Sequence, residues 1–144
     1  MTTRVNIEKT EPAGYRAVLG LEKYIESTQL TKTHKDLIKI RASQINGCAF
    51  CIDMHTKEAR KAGETEQRIY ALNAWRDAPF FSQEEQAILA LTEEVTLINN
   101  HVSDETYARA AKVLDEKYLA QVIMAIITIN AWNRIGITTK LIPA

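Results

Sequence analysis

The segment from about Tyr118 to Arg134 constrains the fold of this chain more than any other. It carries Leu119, Val122, Ile123, Met124, Ile126, Ile127, Ile129 and Trp132 and is apolar nearly all round. Its β-branched content suits a strand, but about seventeen residues without Gly or Pro favour a buried helix. Thr128, Asn130 and Asn133, with the shortness of the apolar run, argue against a membrane span. Such a helix serves either as the core of a subunit or as an interface between subunits.

The remaining segments also read as helices. Residues 1–11 are polar and expected to form an extended arm. Pro12 can open a first helix in which Tyr15, Val18, Leu19, Leu21, Tyr24 and Ile25 keep a helical apolar spacing, with its end near Ser27-Thr28-Gln29. Thr33-His34-Lys35-Asp36 has the shape of a capping box, and Leu37, Ile40, Gln44 and Ile45 continue a helix to the turn signal Asn46-Gly47. A third helix runs from Cys48 to a stop at Gly63. A fourth carries Ile69, Leu72, Ala74 and Trp75 and ends before Pro79. Ser82-Gln83-Glu84-Glu85 is a second capping box, opening a helix with Ile88, Leu91, Val95 and Ile98. Ser103-Asp104-Glu105 starts another, carrying Tyr107, Ala110, Ala111, Val113 and Leu114. No sheet is visible, so the 144 residues read as one all-α domain. Leu72-Asn73-Ala74-Trp75 and Ile129-Asn130-Ala131-Trp132 look alike, but four residues do not establish a repeat.

Charge narrows the partners. The chain has 18 basic and 18 acidic residues, and no basic block that would attract nucleic acid or an anionic membrane. The stretch Met1–Glu8 lacks the apolar region of a signal peptide, so a cytoplasmic location is expected. In a reducing compartment a C-x-x-C pair is catalytic or metal-binding more often than a structural staple.

Both cysteines and one of the three histidines fall within eight residues, Cys48-Ala49-Phe50-Cys51-Ile52-Asp53-Met54-His55. On a helix starting at Cys48 the two thiols lie about 5 Å apart, a separation a disulfide accepts. His55 follows Cys51 at i+4 and Cys48 at i+7, which puts all three on one face. Unpaired N–H groups at the helix N-terminus stabilise thiolate, and histidine exchanges protons near neutral pH. The arrangement suits a thiolate nucleophile with a resolving partner. A zinc site from Cys48, Cys51 and His55, with Asp53 or Asp36 as a fourth ligand, is the alternative, although no second cysteine pair exists. Asp36 is fully explained as a capping-box acid and could also move protons. His34 and His101 are expected at the surface, and Trp75, Trp132 and Tyr24 in packing roles. Met54 and Phe50 are expected in the core, with the wall of a thiol pocket as the alternative.

The run Asp36-Leu37-Ile38-Lys39-Ile40-Arg41-Ala42-Ser43-Gln44-Ile45-Asn46-Gly47-Cys48, continued by C-x-x-C-x-x-x-His55, resembles the AhpD-like branch of the carboxymuconolactone decarboxylase superfamily. Leu72-Asn73-Ala74-Trp75 and Ile129-Asn130-Ala131-Trp132-Asn133-Arg134 extend the likeness, which covers about residues 12 to 140. The resemblance implies an all-helical, AhpD-like subunit assembling into trimers or hexamers, with thiol-dependent peroxidase or disulfide-reductase activity and no metal or haem. It implies that Cys51 is the peroxidatic cysteine and Cys48 the resolving one, with His55 and Asp36 as the proton relay. External thiols or a partner reductase would restore the dithiol. The chain departs from the family at two places: the relay acid is usually Glu, and well-characterised members have a histidine where this chain has Phe50. A branch without the cysteines decarboxylates lactones, so the fold alone does not choose between the two chemistries. A redox-sensing or zinc-binding subunit is the non-enzymatic alternative.

Overall fold

The computed structural model describes residues 3–144, and among these it contains helices and no strand. The helices are α1 (Ile7–Thr10), α2 (Pro12–Ser27), α3 (Lys32–Asn46), α4 (Ala49–Lys61), α5 (Glu66–Tyr70), α6 (Gln83–Thr96), α7 (Asp104–Val113) and α8 (Glu116–Thr139). Two 3₁₀ stretches, Leu72–Asp77 and Ile98–Asn100, join α5 to α6 and α6 to α7.

The all-α expectation holds, and the apolar segment is the core of α8, longer at both ends than its apolar run. Asp115 caps the start by accepting from the Tyr118 N–H. By length and composition α8 could cross a membrane, but its buried Gln121, Asn130 and Asn133 bond to other parts of the chain, as in a core helix.

Helix α3 is the shared wall of two cores. Its Ile38 and Ala42 pack with Ile25 of α2, Ile88 and Leu91 of α6 and Val122, Ile126 and Ile129 of α8. Its Leu37 and Ile40 face Ala59, Leu72, Trp75, Phe81 and Leu89. A helix apolar on both flanks can carry polar groups only at its end or along narrow stripes, which is where the site develops.

Several local expectations need correction. The segment expected as an extended arm holds the single turn α1, because Asn6 caps it by accepting from the Lys9 N–H at 2.9 Å; Met1 and Thr2 lie outside the described residues. Helix α3 is capped by Thr31, not Thr33: the Thr31 hydroxyl accepts from the His34 N–H at 3.1 Å, so the third helical position is His34 and no capping box forms. Asp36 lies a turn further in, where its carboxylate accepts from Lys32 Nζ. The fourth helix breaks at Ala71 into α5 and a 3₁₀ stretch, which turns Leu72 and Trp75 into the core. His34 is buried rather than superficial, its Nδ1 2.6 Å from the Tyr118 hydroxyl, whereas Tyr24 is exposed and His101 is at the surface as expected. The Ser82 capping box is present as read, with Ser82 and Glu85 bonding reciprocally.

Ile126 is fully buried between α3 and α6. Ile126→Ala is expected to lower unfolding free energy by about 2–5 kcal/mol, read as a lower urea midpoint at constant slope. A midpoint unchanged from the parent would remove α8 from the centre of the core.

Candidate active site

The site grows from the end of α3. Gly47 adopts a left-handed conformation (φ 70°, ψ 36°) that closes the helix and turns the chain at once into the next one. Cys48 is therefore the N-cap of α4 rather than a residue within its first turn. Its sulfur accepts from the Cys51 N–H at 3.3 Å, doing what a serine hydroxyl does at other caps. Cys51 occupies the first turn, and the two cysteines form a disulfide with Cα atoms 5.3 Å apart.

A network of amides, buried on α8 and half-buried at Asn46, fixes this corner against α8. Asn46 Nδ2 donates to Asn130 Oδ1 and to Asn133 Oδ1, both at 2.9 Å. Asn133 Nδ2 donates to the Ser43 hydroxyl at 3.0 Å, and that hydroxyl donates to the Lys39 carbonyl. Asn130 Nδ2 reaches Thr96 of α6. Among the described residues no buried side-chain polar atom lacks a partner.

Cys51 lines a chamber of about 840 Å³. Phe50, Met54 and His55 of α4 line it with Cys51, so Phe50 and Met54, half-buried, belong to the pocket wall rather than to the core expected for them. Tyr15, Leu19 and Glu22 of α2, Lys39 of α3 and Trp132 and Ile135 of α8 supply other walls, and residues 3–9 close one side. Trp132 is held edge-on to Tyr15 and donates from Nε1 to Glu22. Most of this lining is apolar or aromatic, as in sites for organic ligands.

His55 sits one turn beyond Cys51, largely buried. Its Nδ1 is 3.3 Å from Glu58 Oε2, also in the lining. Burial pushes the imidazole below its ordinary value of 6.5, and the Lys39 ammonium pushes the same way against the pull of Glu58. His55 is thus neutral at pH 7, with a ring nitrogen free to accept a proton, and is a weaker base than a free imidazole. Lys39 is itself held by Glu22 at 3.0 Å and Glu26 at 3.9 Å.

Of the four residues singled out from sequence, the structure brings Cys48, Cys51 and His55 together. Asp36 stands apart: it is buried, its carboxylate engaged by Lys32, and it does not line the chamber. The acid beside His55 is Glu58, which sequence reasoning missed although its i+3 spacing from His55 was the available signal. Among the described residues no three His, Cys, Asp or Glu side chains converge as metal ligands.

A helical subunit with a C-x-x-C cap and a same-face histidine at a chamber defines a thiol-bearing relative of the decarboxylase fold. The chain belongs to the carboxymuconolactone decarboxylase family, whose sequence profile matches residues 12–94, and within it to the AhpD-like branch. It is 49% identical over 138 residues to the uncharacterized protein YdfG of Bacillus subtilis, covering 95% of this chain and 94% of that one. A solved structure from Agrobacterium tumefaciens, of unknown function but with the working description antioxidant defence protein AhpD, superposes with a TM-score of 0.95 at 37% identity and 99% coverage of both chains. The debrominase Bmp8 shares the fold at a TM-score of 0.85 and 19% identity, covering 94% of this chain and 74% of its own.

Because folded His55 holds its proton less tightly than the unfolded chain, the unfolded state binds more protons below pH 6.5. The stability owed to neutral His55 is full above that value and is lost as pH falls through the lowered folded value. An NMR titration should place the His55 midpoint below 6.5, and His55→Gln should flatten the acid limb of the stability profile. A midpoint at or above 6.5 would mean that solvent or Glu58 outweighs burial.

Proposed function

We propose that this protein is a thiol-dependent, peroxidase-like oxidoreductase that reduces hydroperoxides through Cys51, with Cys48 resolving. The observation that carries the reading is that Cys51 and a buried, neutral His55 line the same chamber one helical turn apart. In the dithiol form His55 accepts the Cys51 proton, and the thiolate attacks the terminal oxygen of the peroxide. The O–O bond breaks, two electrons leave the sulfur, and the departing alkoxide takes the proton from His55. Cys51 is left as a sulfenic acid. The Cys48 thiol attacks the Cys51 sulfur, its proton leaves with the displaced hydroxyl as water, and the disulfide closes; two equivalents of external thiol, free or on a reductase, restore the dithiol.

In this scheme Glu58 takes the place beside His55 that the sequence reading gives to Asp36. The chemistry requires no metal or organic cofactor. A cytoplasmic location suits a dithiol that must be kept reduced. Self-association as a trimer or hexamer is part of the same proposal. It is supported by apolar Val5 and Leu141 at the chamber rim and by Ile137 and Ile142 beside them in the chain, all exposed.

The test is peroxide consumption by reduced protein with intact mass recorded before and after. Wild type should lose two hydrogens, Cys51→Ser should fall by about a hundredfold or more, and Cys48→Ser should gain one oxygen. Glu58→Gln should slow turnover more than Asp36→Asn. Equal, slow reaction of all cysteine variants would overturn the proposal and turn attention to acid–base chemistry of His55 on a small carboxylated lactone.

A further inference from the structure

The two sulfurs of the disulfide are not equivalent, and the cause lies on α8. Gly136 packs directly on the pair: a Cβ at that position would stand 3.1 Å from Cys48 Sγ and 3.6 Å from Cys51 Sγ. The first distance is tighter than ordinary van der Waals contact, so any side chain at this position would press on the Cys48 sulfur, and only glycine leaves it in place against α8. The approach is fixed from one turn earlier on α8, where Asn133 is bonded to Ser43 and Asn46, two residues before Cys48. Cys51, by contrast, belongs to the chamber wall, and Cys48 does not.

Building on the thiol–disulfide reading above, we infer that Gly136 makes the redox pair one-sided: external thiols exchange only at Cys51, reached through the chamber, and Cys48 is always the leaving sulfur. In that exchange an external thiolate attacks Cys51 Sγ in line with the S–S bond. The S–S bond breaks, the mixed disulfide forms on Cys51, and the bonding electrons depart on Cys48. The Cys51 N–H at the helix N-terminus donates to that sulfur at 3.3 Å and stabilises its new negative charge. A second external thiolate then attacks the outer sulfur of the mixed disulfide. It releases the external disulfide and the Cys51 thiolate, so that two thiols have supplied two electrons. Gly136 is a positioning residue, since it touches the resolving sulfur and not the substrate.

Reduced wild-type protein is pulsed with less than one equivalent of N-ethylmaleimide, a small neutral thiol reagent, and the labelled cysteine is mapped by peptide mass spectrometry. Cys51 should carry the label in excess over Cys48 by about tenfold or more. Gly136→Ala should push the Cys48 sulfur off α8, lower that ratio several-fold and shift the dithiol–disulfide equilibrium in a dithiothreitol redox buffer. A purely structural role would leave the ratio untouched. Equal labelling of the two cysteines in wild type would overturn the inference, as would a folded Gly136→Ala protein with unchanged ratio and equilibrium. The wild-type mapping decides the matter even where the variant does not fold.

Discussion

The buried amide clamp between α3 and α8 is the interaction on which the rest of the site depends. Half-buried Asn46 and buried Asn130, Asn133, Ser43 and Thr96 tie the last turn of α3 to α8 and α6. Each such bond contributes only about 1 kcal/mol net, but leaving one buried partner unpaired costs about 1–3 kcal/mol. The clamp therefore acts through specificity: it allows one approach of α8 to the Gly47–Cys48 corner and penalises others. Apolar packing alone would let two helices slide by fractions of an ångström. At Gly136, where α8 meets the sulfur, such a shift would change the chemistry.

From that corner the functional arrangement follows in short steps. The left-handed turn at Gly47 makes Cys48 a helix cap, the cap places Cys51 in the first turn, and helical spacing brings His55 beneath the same opening. The chamber then sets the protonation state. Its apolar and aromatic walls withdraw water from His55, and Lys39, braced by Glu22 and Glu26, adds a repulsion that keeps the imidazole neutral. The helix N-terminus favours negative sulfur, and the neutral histidine leaves a ring nitrogen free to take the proton, although burial and Lys39 make it a weaker base than a free imidazole.

Much of this was legible in the residues, for reasons that can be named. Helix α8 was legible because a long apolar run without Gly or Pro has few other uses, and α6 because Ser82 and Glu85 form a box that local spacing defines. The trio of Cys48, Cys51 and His55 was legible because one helix carries it. Asp36 was misread because Thr31 and Thr33 are equally good caps in sequence, and only the extended backbone at Thr31 decides between them. Its carboxylate was then claimed by Lys32, one turn back on the same helix. Lys39, Glu22, the wall from residues 3–9 and Gly136 were invisible. They come from four separate segments, and their roles exist only once those segments are packed.

The most direct test of the clamp is the rate at which the reduced protein closes its disulfide after one equivalent of a hydroperoxide, followed by rapid quenching and intact mass, in wild type and Asn133→Ala. With the variant's helical content unchanged by circular dichroism, closure should slow by about tenfold or more, because a misplacement of about 1 Å can cost two orders of magnitude. Closure at the wild-type rate in a folded Asn133→Ala protein would contradict the account: the cysteine pair would then be positioned by α4 alone.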